Sequence, residues 1–284
     1  MTCQRLKNES GDNRNLVSCL VCTFGRPHLL AEAIQCFLDQ DYPHKELLIC
    51  NDQQGVTIEI EDCPSNITVY NAPFRLESLG RKRNYLMWQA RGEFCCVWDD
   101  DDLYTPWRIS DSVKFMKEHP SVDIVKAKSA LMSVDNQNYS INQNLFHSQA
   151  CIRQSPMVIE RIGYVYSPKK GYANKSVGED IEFEDRFNVK SFDVSPYFWY
   201  VYRWGMGVHH LSGVVDDKES WKKSLSFPRY QKIKGTVKVK PGFKRDYWGE
   251  ISDFLARKHR RWKDLWDARI KESLGRARNI KIRA

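Results

Sequence analysis

The chain is 284 residues long, 42% hydrophobic and 12% aromatic, which gives it material for a sizeable core and excludes global disorder. Its net charge of +8 is uneven: residues 216–284 carry 21 Lys/Arg against 9 Asp/Glu, a balance of +12, whereas residues 1–215 carry 23 against 27, a balance of −4. No apolar run approaches the roughly 18–20 residues that cross a bilayer, and the polar opening MTCQRLKNESGDNRN lacks the apolar stretch of a secretory signal, so a cytoplasmic location is expected.

Leu16 to Cys22 is a continuous apolar run, the pattern of a strand covered on both faces of a parallel sheet. Thr23 to Pro27 breaks it, and Leu29, Leu30, Ala33, Ile34 and Phe37 follow at helical spacing. After Tyr42-Pro43, Glu46 to Cys50 reads as a second strand ending at Asn51-Asp52, and Ile67 to Tyr70 as a third. Ser78 to Ala90 is predicted helical, with Gly92 as its C-cap. Glu93 to Trp98 is a fourth buried strand that runs into Asp99-Asp100-Asp101-Asp102.

Beyond Pro106 a helix is expected over 108–117, then an apolar stretch at 123–127 and a polar loop at 133–143. The nine cysteines form an odd number, and Cys19, Cys22, Cys50, Cys95 and Cys96 lie in apolar runs. They read as reduced buried thiols rather than a disulfide framework or a zinc site.

Strands alternating with helices predict an α/β layer fold with a largely parallel sheet, in which ligands bind beyond the carboxyl ends of the strands. Thr23, Asp52 and Asp99 each stand at such an end. Four consecutive aspartates repel one another unless a cation sits among them, and hard carboxylate oxygens suit Mg²⁺ or Mn²⁺ together with substrate phosphates. If strand geometry persists, Asp99 and Asp101 point the same way. The alternative is a solvated acidic loop.

VSCLVCTFGRP, LLICNDQ and LGRKRNYLMWQARGEFCCVWDDDDLYTP, in this order and spacing over residues 16–110, resemble the nucleotide-sugar-binding half of GT-A glycosyltransferases of the family-2 type. Cys22 and Asn51 stand where that family has Pro and the first of two Asp. The resemblance implies a Rossmann-like GT-A sheet flanked by helices and metal-dependent, inverting sugar transfer from a nucleotide diphosphate, with UDP expected. It implies donor contacts from Thr23, Phe24, Arg26, Asp52, Arg81, Asn84, Asp99 and Asp100, and metal ligation by Asp101 and Asp99, with the register of the four aspartates left open.

Gly178-Glu179-Asp180 resembles the same family's Glu-Asp motif, which implies a general base, with Asp180 preferred over Glu179. A plain acidic helix start is the alternative. Arg203 to Gly213 resembles the later segment in which a histidine completes the metal shell. His209 and His210 are the candidates, and Arg203 could face the diphosphate.

From Trp248 to Leu274 apolar residues keep a three-and-four period, while Arg257, Lys258, Arg260, Arg261 and Lys263 crowd one region, as in an amphipathic helix with a basic face. That face could be solvated, could bind a polyanionic acceptor such as DNA or another nucleic acid, or could dock on an anionic membrane carrying a lipid-linked acceptor. The expected organisation is a catalytic domain over 1–215, divided into a donor half at 1–110 and an acceptor half at 111–215, followed by a basic helical extension over 216–284. Two readings compete with the enzyme: a nucleic-acid-binding protein on a disabled catalytic scaffold, and a nucleotidyltransferase.

Overall fold

The computed structural model describes residues 13–134, 138–143, 146–154, 172–173, 175, 178–204 and 233–283. The first half comprises β1 (Val17–Thr23), α1 (Pro27–Leu38), β2 (Lys45–Asn51), β3 (Val56–Ile60), β4 (Ile67–Asn71), α2 (Leu79–Gln89), β5 (Phe94–Val97), β6 (Leu103–Tyr104) and α3 (Arg108–Glu118). The remainder comprises β7 (Ile124–Ala127), β8 (Ala130–Val134), β9 (Asn138–Asn142), β10 (Cys151–Arg153), α4 (Glu179–Glu184), β11 (Val189–Phe192), β12 (Tyr200–Trp204), β13 (Gly235–Val239), α5 (Tyr247–Lys258) and α6 (Arg260–Arg283).

The main sheet runs β11-β7-β10-β5-β1-β2-β4, parallel except where β10 lies antiparallel to β5 and β7. Every residue of β1, β2 and β5 is buried, because helices cover both faces of this sheet. This is the α/β architecture that the alternating pattern predicts. Cys19, Cys22, Cys50, Cys95 and Cys96 are buried free thiols within it. Pro27 opens α1, where its missing N–H costs nothing, and the Ser78 hydroxyl caps α2 by accepting from the Arg81 N–H at 3.2 Å.

A second, four-stranded sheet, β6-β12-β8-β9, lies beyond the end of β5, and β13 pairs in parallel with β3. Val239, Tyr247, Trp248, Ile251, Leu255 and Trp266 enter the same hydrophobic core as β1 and β2.

Three sequence expectations change. Gly92 does not cap α2, which ends at Ala90 in extended backbone. It packs against β1 instead, where a Cβ would stand 2.7 Å from the Leu16 carbonyl oxygen. The polar stretch after 130 is an antiparallel strand pair, with Ser133 opposite Tyr139 and Met132 opposite Ser140. Finally, the amphipathic C-terminal helix is two helices, broken at His259, whose backbone is extended. No helix among the described residues is long and apolar enough to cross a membrane.

Candidate active site

β1, β2 and β5 are mutually parallel, with Thr23 paired to Asn51, so their carboxyl ends open on one edge. Strand β5 stops at Val97, and the aspartates form a turn in which Asp100 and Asp101 share Arg26 while Asp99 and Asp102 meet other partners; the strand alternation does not carry into it. Asp100 is fully buried and accepts from the Thr23 hydroxyl at 2.6 Å. Arg26 bridges Asp100 and Asp101, lying 2.6 Å from the latter. Asp102 turns inward, accepting from the Tyr200 hydroxyl at 2.5 Å and the Arg203 N–H at 2.8 Å. Asp99 is the most open of the four, 25% exposed at its side chain, and accepts from the Ser148 hydroxyl.

Burial disfavours the charged form of the inner pair. It pushes the Asp100 carboxyl up to about 6, with Asp101 adding to the shift and Arg26 and Thr23 opposing it. The Asp102 carboxyl is raised well above the usual range, first by burial and then by Asp101 and Asp99. Asp99 and Asp101 keep the larger side-chain exposures of the four, 25% and 7%. Two hard-oxygen ligands are what Mg²⁺ or Mn²⁺ commonly takes from a protein when phosphates complete its shell, so this donor set fits such an ion. Among the described residues no group of three or more His, Cys, Asp or Glu forms a cage for a metal.

Helix α2 supplies the cations, but from different positions than the sequence pattern suggests. Arg81 sits at the rim, paired with Glu77 at 3.2 Å. Asn84 holds the backbone of Tyr172, donating to its carbonyl at 2.9 Å and accepting from its N–H at 2.7 Å. Lys82 and Arg83, between them, reach the site. Lys82 pairs with the buried Asp52 carboxylate and donates to the Thr23 carbonyl at 3.3 Å. Asp52 also accepts from the Leu76 N–H at 3.1 Å. Phe24 lies under Arg75, whose guanidinium is 4.6 Å from the ring centre.

Arg83 lies 2.6 Å from Glu179 and 3.6 Å from Asp99. Burial alone would lower its pKa, but Asp99 and Glu179 reverse that and hold it charged. The helical period carries the signal for this residue: Gly80, Arg83, Leu86 and Met87 form the buried face of α2.

Glu179 opens α4 after Gly178, whose φ of 68° is the left-handed conformation glycine accepts readily. Its carboxyl is raised by burial, against the pull of Arg83. Asp180 is half-buried and accepts locally from the Ile181 N–H at 2.9 Å. Arg203 does not face the opening. It is fully buried behind the turn, 2.5 Å from Glu32, and donates to the Asp101 carbonyl at 2.6 Å, which corrects its expected place on the diphosphate. His209, His210 and residues 216–232 lie outside the described residues.

Residues 18–170 match the family model described as Glycosyl transferase family 2. The poly(ribitol-phosphate) beta-N-acetylglucosaminyltransferase TarS of Staphylococcus aureus is 26% identical over 162 residues, which is 55% of this chain. The chain spans 27% of the length of that relative. The solved structure of S. aureus TarS 1-349 in complex with UDP-GlcNAc aligns at a TM-score of 0.50 and 15% identity, covering 93% of this chain and 90% of that one. The mannosyltransferase PcManGT from Pyrobaculum calidifontis, solved with GDP-Man and Mn2+, aligns at a TM-score of 0.46 and 13% identity, covering 96% and 76%.

Proposed function

The chain belongs to glycosyl transferase family 2, and from that membership we propose that it transfers a sugar from a nucleotide diphosphate, UDP in this reading, to an acceptor hydroxyl with inversion. The observation that carries the proposal is the meeting of Thr23, Asp52 and the aspartate turn at one sheet edge, with Arg83 joining Asp99 to Glu179.

In this reading Thr23, Phe24 and Asp52 border the nucleoside, and Asp99 and Asp101 hold a divalent cation beside the diphosphate. When bound, the cation supplies charge neutralisation to the departing diphosphate. Asp180 removes the proton from the acceptor hydroxyl as its oxygen attacks the anomeric carbon, opposite the breaking bond to the diphosphate. Glu179 is the weaker candidate for that base because Arg83 already engages it. Arg83 fixes the spacing between the donor wall and the start of α4.

The acceptor in this reading is polyanionic. The +12 balance of residues 216–284 supports it, as does the S. aureus relative, whose name gives poly(ribitol-phosphate) as its acceptor.

The test is calorimetric titration with a panel of nucleotide-sugars, with Mn²⁺, with Mg²⁺ and with chelator, followed by nucleotide release. Wild-type protein is expected to bind at least one donor more tightly with metal. Asp101→Ala should reduce metal-dependent release by about a hundredfold or more, a loss of nearly 3 kcal/mol. Failure of the wild type to bind any donor under all three conditions would overturn the proposal.

A further inference from the structure

Strand β10 is the antiparallel member of the main sheet, so the chain enters it at the edge where β5 ends. The residues just before it, His147–Gln149, form a short helical turn on that edge. Ala150 ties the turn to β5 by accepting from the Val97 N–H at 3.0 Å. Reversing one strand thus brings two neighbouring side chains, His147 and Ser148, between the aspartate turn and α4.

The two side chains take different partners. The half-buried Ser148 hydroxyl donates to Asp99 Oδ2. Arg83 stands 3.6 Å from Oδ1 of the same carboxylate, and the Asp99 N–H donates to the Tyr104 hydroxyl at 2.7 Å. Three partners therefore hold the most exposed of the four aspartates in one orientation.

His147 is buried and engages α4. Its Nδ1 donates to Glu184 at 2.6 Å, and its Nε2 meets the Tyr172 hydroxyl at 2.7 Å. Tyr172 in turn stacks on Phe183, with ring centres 4.1 Å apart. Lys126 pairs with the other Glu184 oxygen at 2.5 Å. Glu184 lies four residues after Asp180, about one turn along the same side of α4, so fixing it sets the rotation of the helix that carries Asp180.

The links close a circuit, because Arg83 returns from Glu179 at the start of α4 to Asp99. One link between two segments leaves them free to pivot about it, and a second link stops the pivot. We infer that His147 and Ser148 are positioning residues for sugar transfer. Ser148 orients Asp99 toward a divalent cation, and His147 holds α4 so that Asp180 keeps a fixed distance from it. The inference rests on the transferase reading above. Groups that orient a metal ligand in this way commonly contribute about ten- to a hundredfold to metal affinity or activity.

Two measurements on the full chain separate the roles. One is Mn²⁺ affinity by electron paramagnetic resonance, with and without UDP. The other is kcat and KM for nucleotide release from the donor panel. Ser148→Ala should weaken Mn²⁺ binding by about tenfold or more, and Ser148→Thr should restore most of it, because the hydroxyl is what Asp99 uses. His147→Leu should lower kcat by about tenfold or more while KM for the donor stays within about twofold, since the donor wall is untouched. His147→Asn can still donate to Glu184 and should recover part of the rate. It also keeps this arm readable where the leucine variant does not fold.

Unchanged Mn²⁺ affinity in Ser148→Ala, an unchanged kcat in His147→Leu, or losses that follow Tm alone with no recovery by Thr or Asn would overturn the inference. A wild type that releases nucleotide while its variants match it leaves the transferase reading standing and sinks the inference alone. A wild type that binds Mn²⁺ but releases nucleotide from no donor refutes the transferase reading and the His147 role with it, while Ser148→Ala still decides the orientation of Asp99.

Discussion

Arg83 and Glu179, 96 residues apart in sequence, form a buried ion pair at 2.6 Å that closes the distance between the aspartate turn and the start of α4. The pair joins two segments that share no strand, so the spacing between donor wall and proposed base depends on it.

Arg83→Ala leaves Glu179 buried without its cation, which costs about 3–5 kcal/mol for a buried pair broken on one side. Arg83→Lys keeps one charge but cannot bridge Glu179 and Asp99 in a forked geometry. Urea denaturation is expected to rank wild type above Lys above Ala. Nucleotide release should fall in the lysine variant even where the protein remains folded, whereas equal release by Lys and wild type would deny Arg83 a positioning role.

The Arg203–Glu32 pair is buried on both sides and also engages Tyr247, whose hydroxyl lies 2.9 Å from Glu32. It therefore ties α1, β12 and α5 together behind the aspartates. Glu32→Ala should destabilise the fold by about 3–5 kcal/mol by stranding the guanidinium, and Glu32→Gln by less, since the amide still accepts a hydrogen bond. Thermal melts of both variants check the order. A Glu32→Ala protein as stable as wild type would show that the pair contributes nothing net.

Glu184 governs an acid-side stability change. Burial raises its carboxyl pKa, but hydrogen bonding and charge from His147 and Lys126 outweigh that and hold it below the ordinary value of 4.5. A folded pKa below the unfolded one means stability that is present above about pH 4.5 and is lost as pH falls through the folded value. Urea midpoints measured from pH 6 downward should fall less steeply for Glu184→Gln than for wild type. The variant should also start about 1–3 kcal/mol lower, because Lys126 and His147 lose their charged partner.

Elements such as β1, α1 and β5 are legible from local pattern because each rests on near-neighbour physics. Continuous apolar runs at Val17–Thr23 and Phe94–Val97 require cover on both faces, and the Leu29–Phe37 spacing requires a helix. Strands β3 and β13 are not legible in this way. They pair with each other across more than half the chain, and their exposed positions blur the apolar signal. On α2, motif resemblance points to Arg81 and Asn84, whereas helical phase selects Arg83, because the sheet beneath fixes which side of the helix is buried.

By itself the sequence determined that buried parallel strands end in Thr23, Asp52 and a row of aspartates, and that the positive charge collects after residue 215. Tertiary structure alone decided how those four aspartates divide. Asp100 and Asp102 lie within the core, on Thr23 and Tyr200, Asp101 is buried against Arg26, and Asp99 keeps a quarter of its side chain exposed. The physical reason is that a carboxylate's environment is set by partners 77 and 98 residues away, whose arrival depends on the packing of the whole sheet.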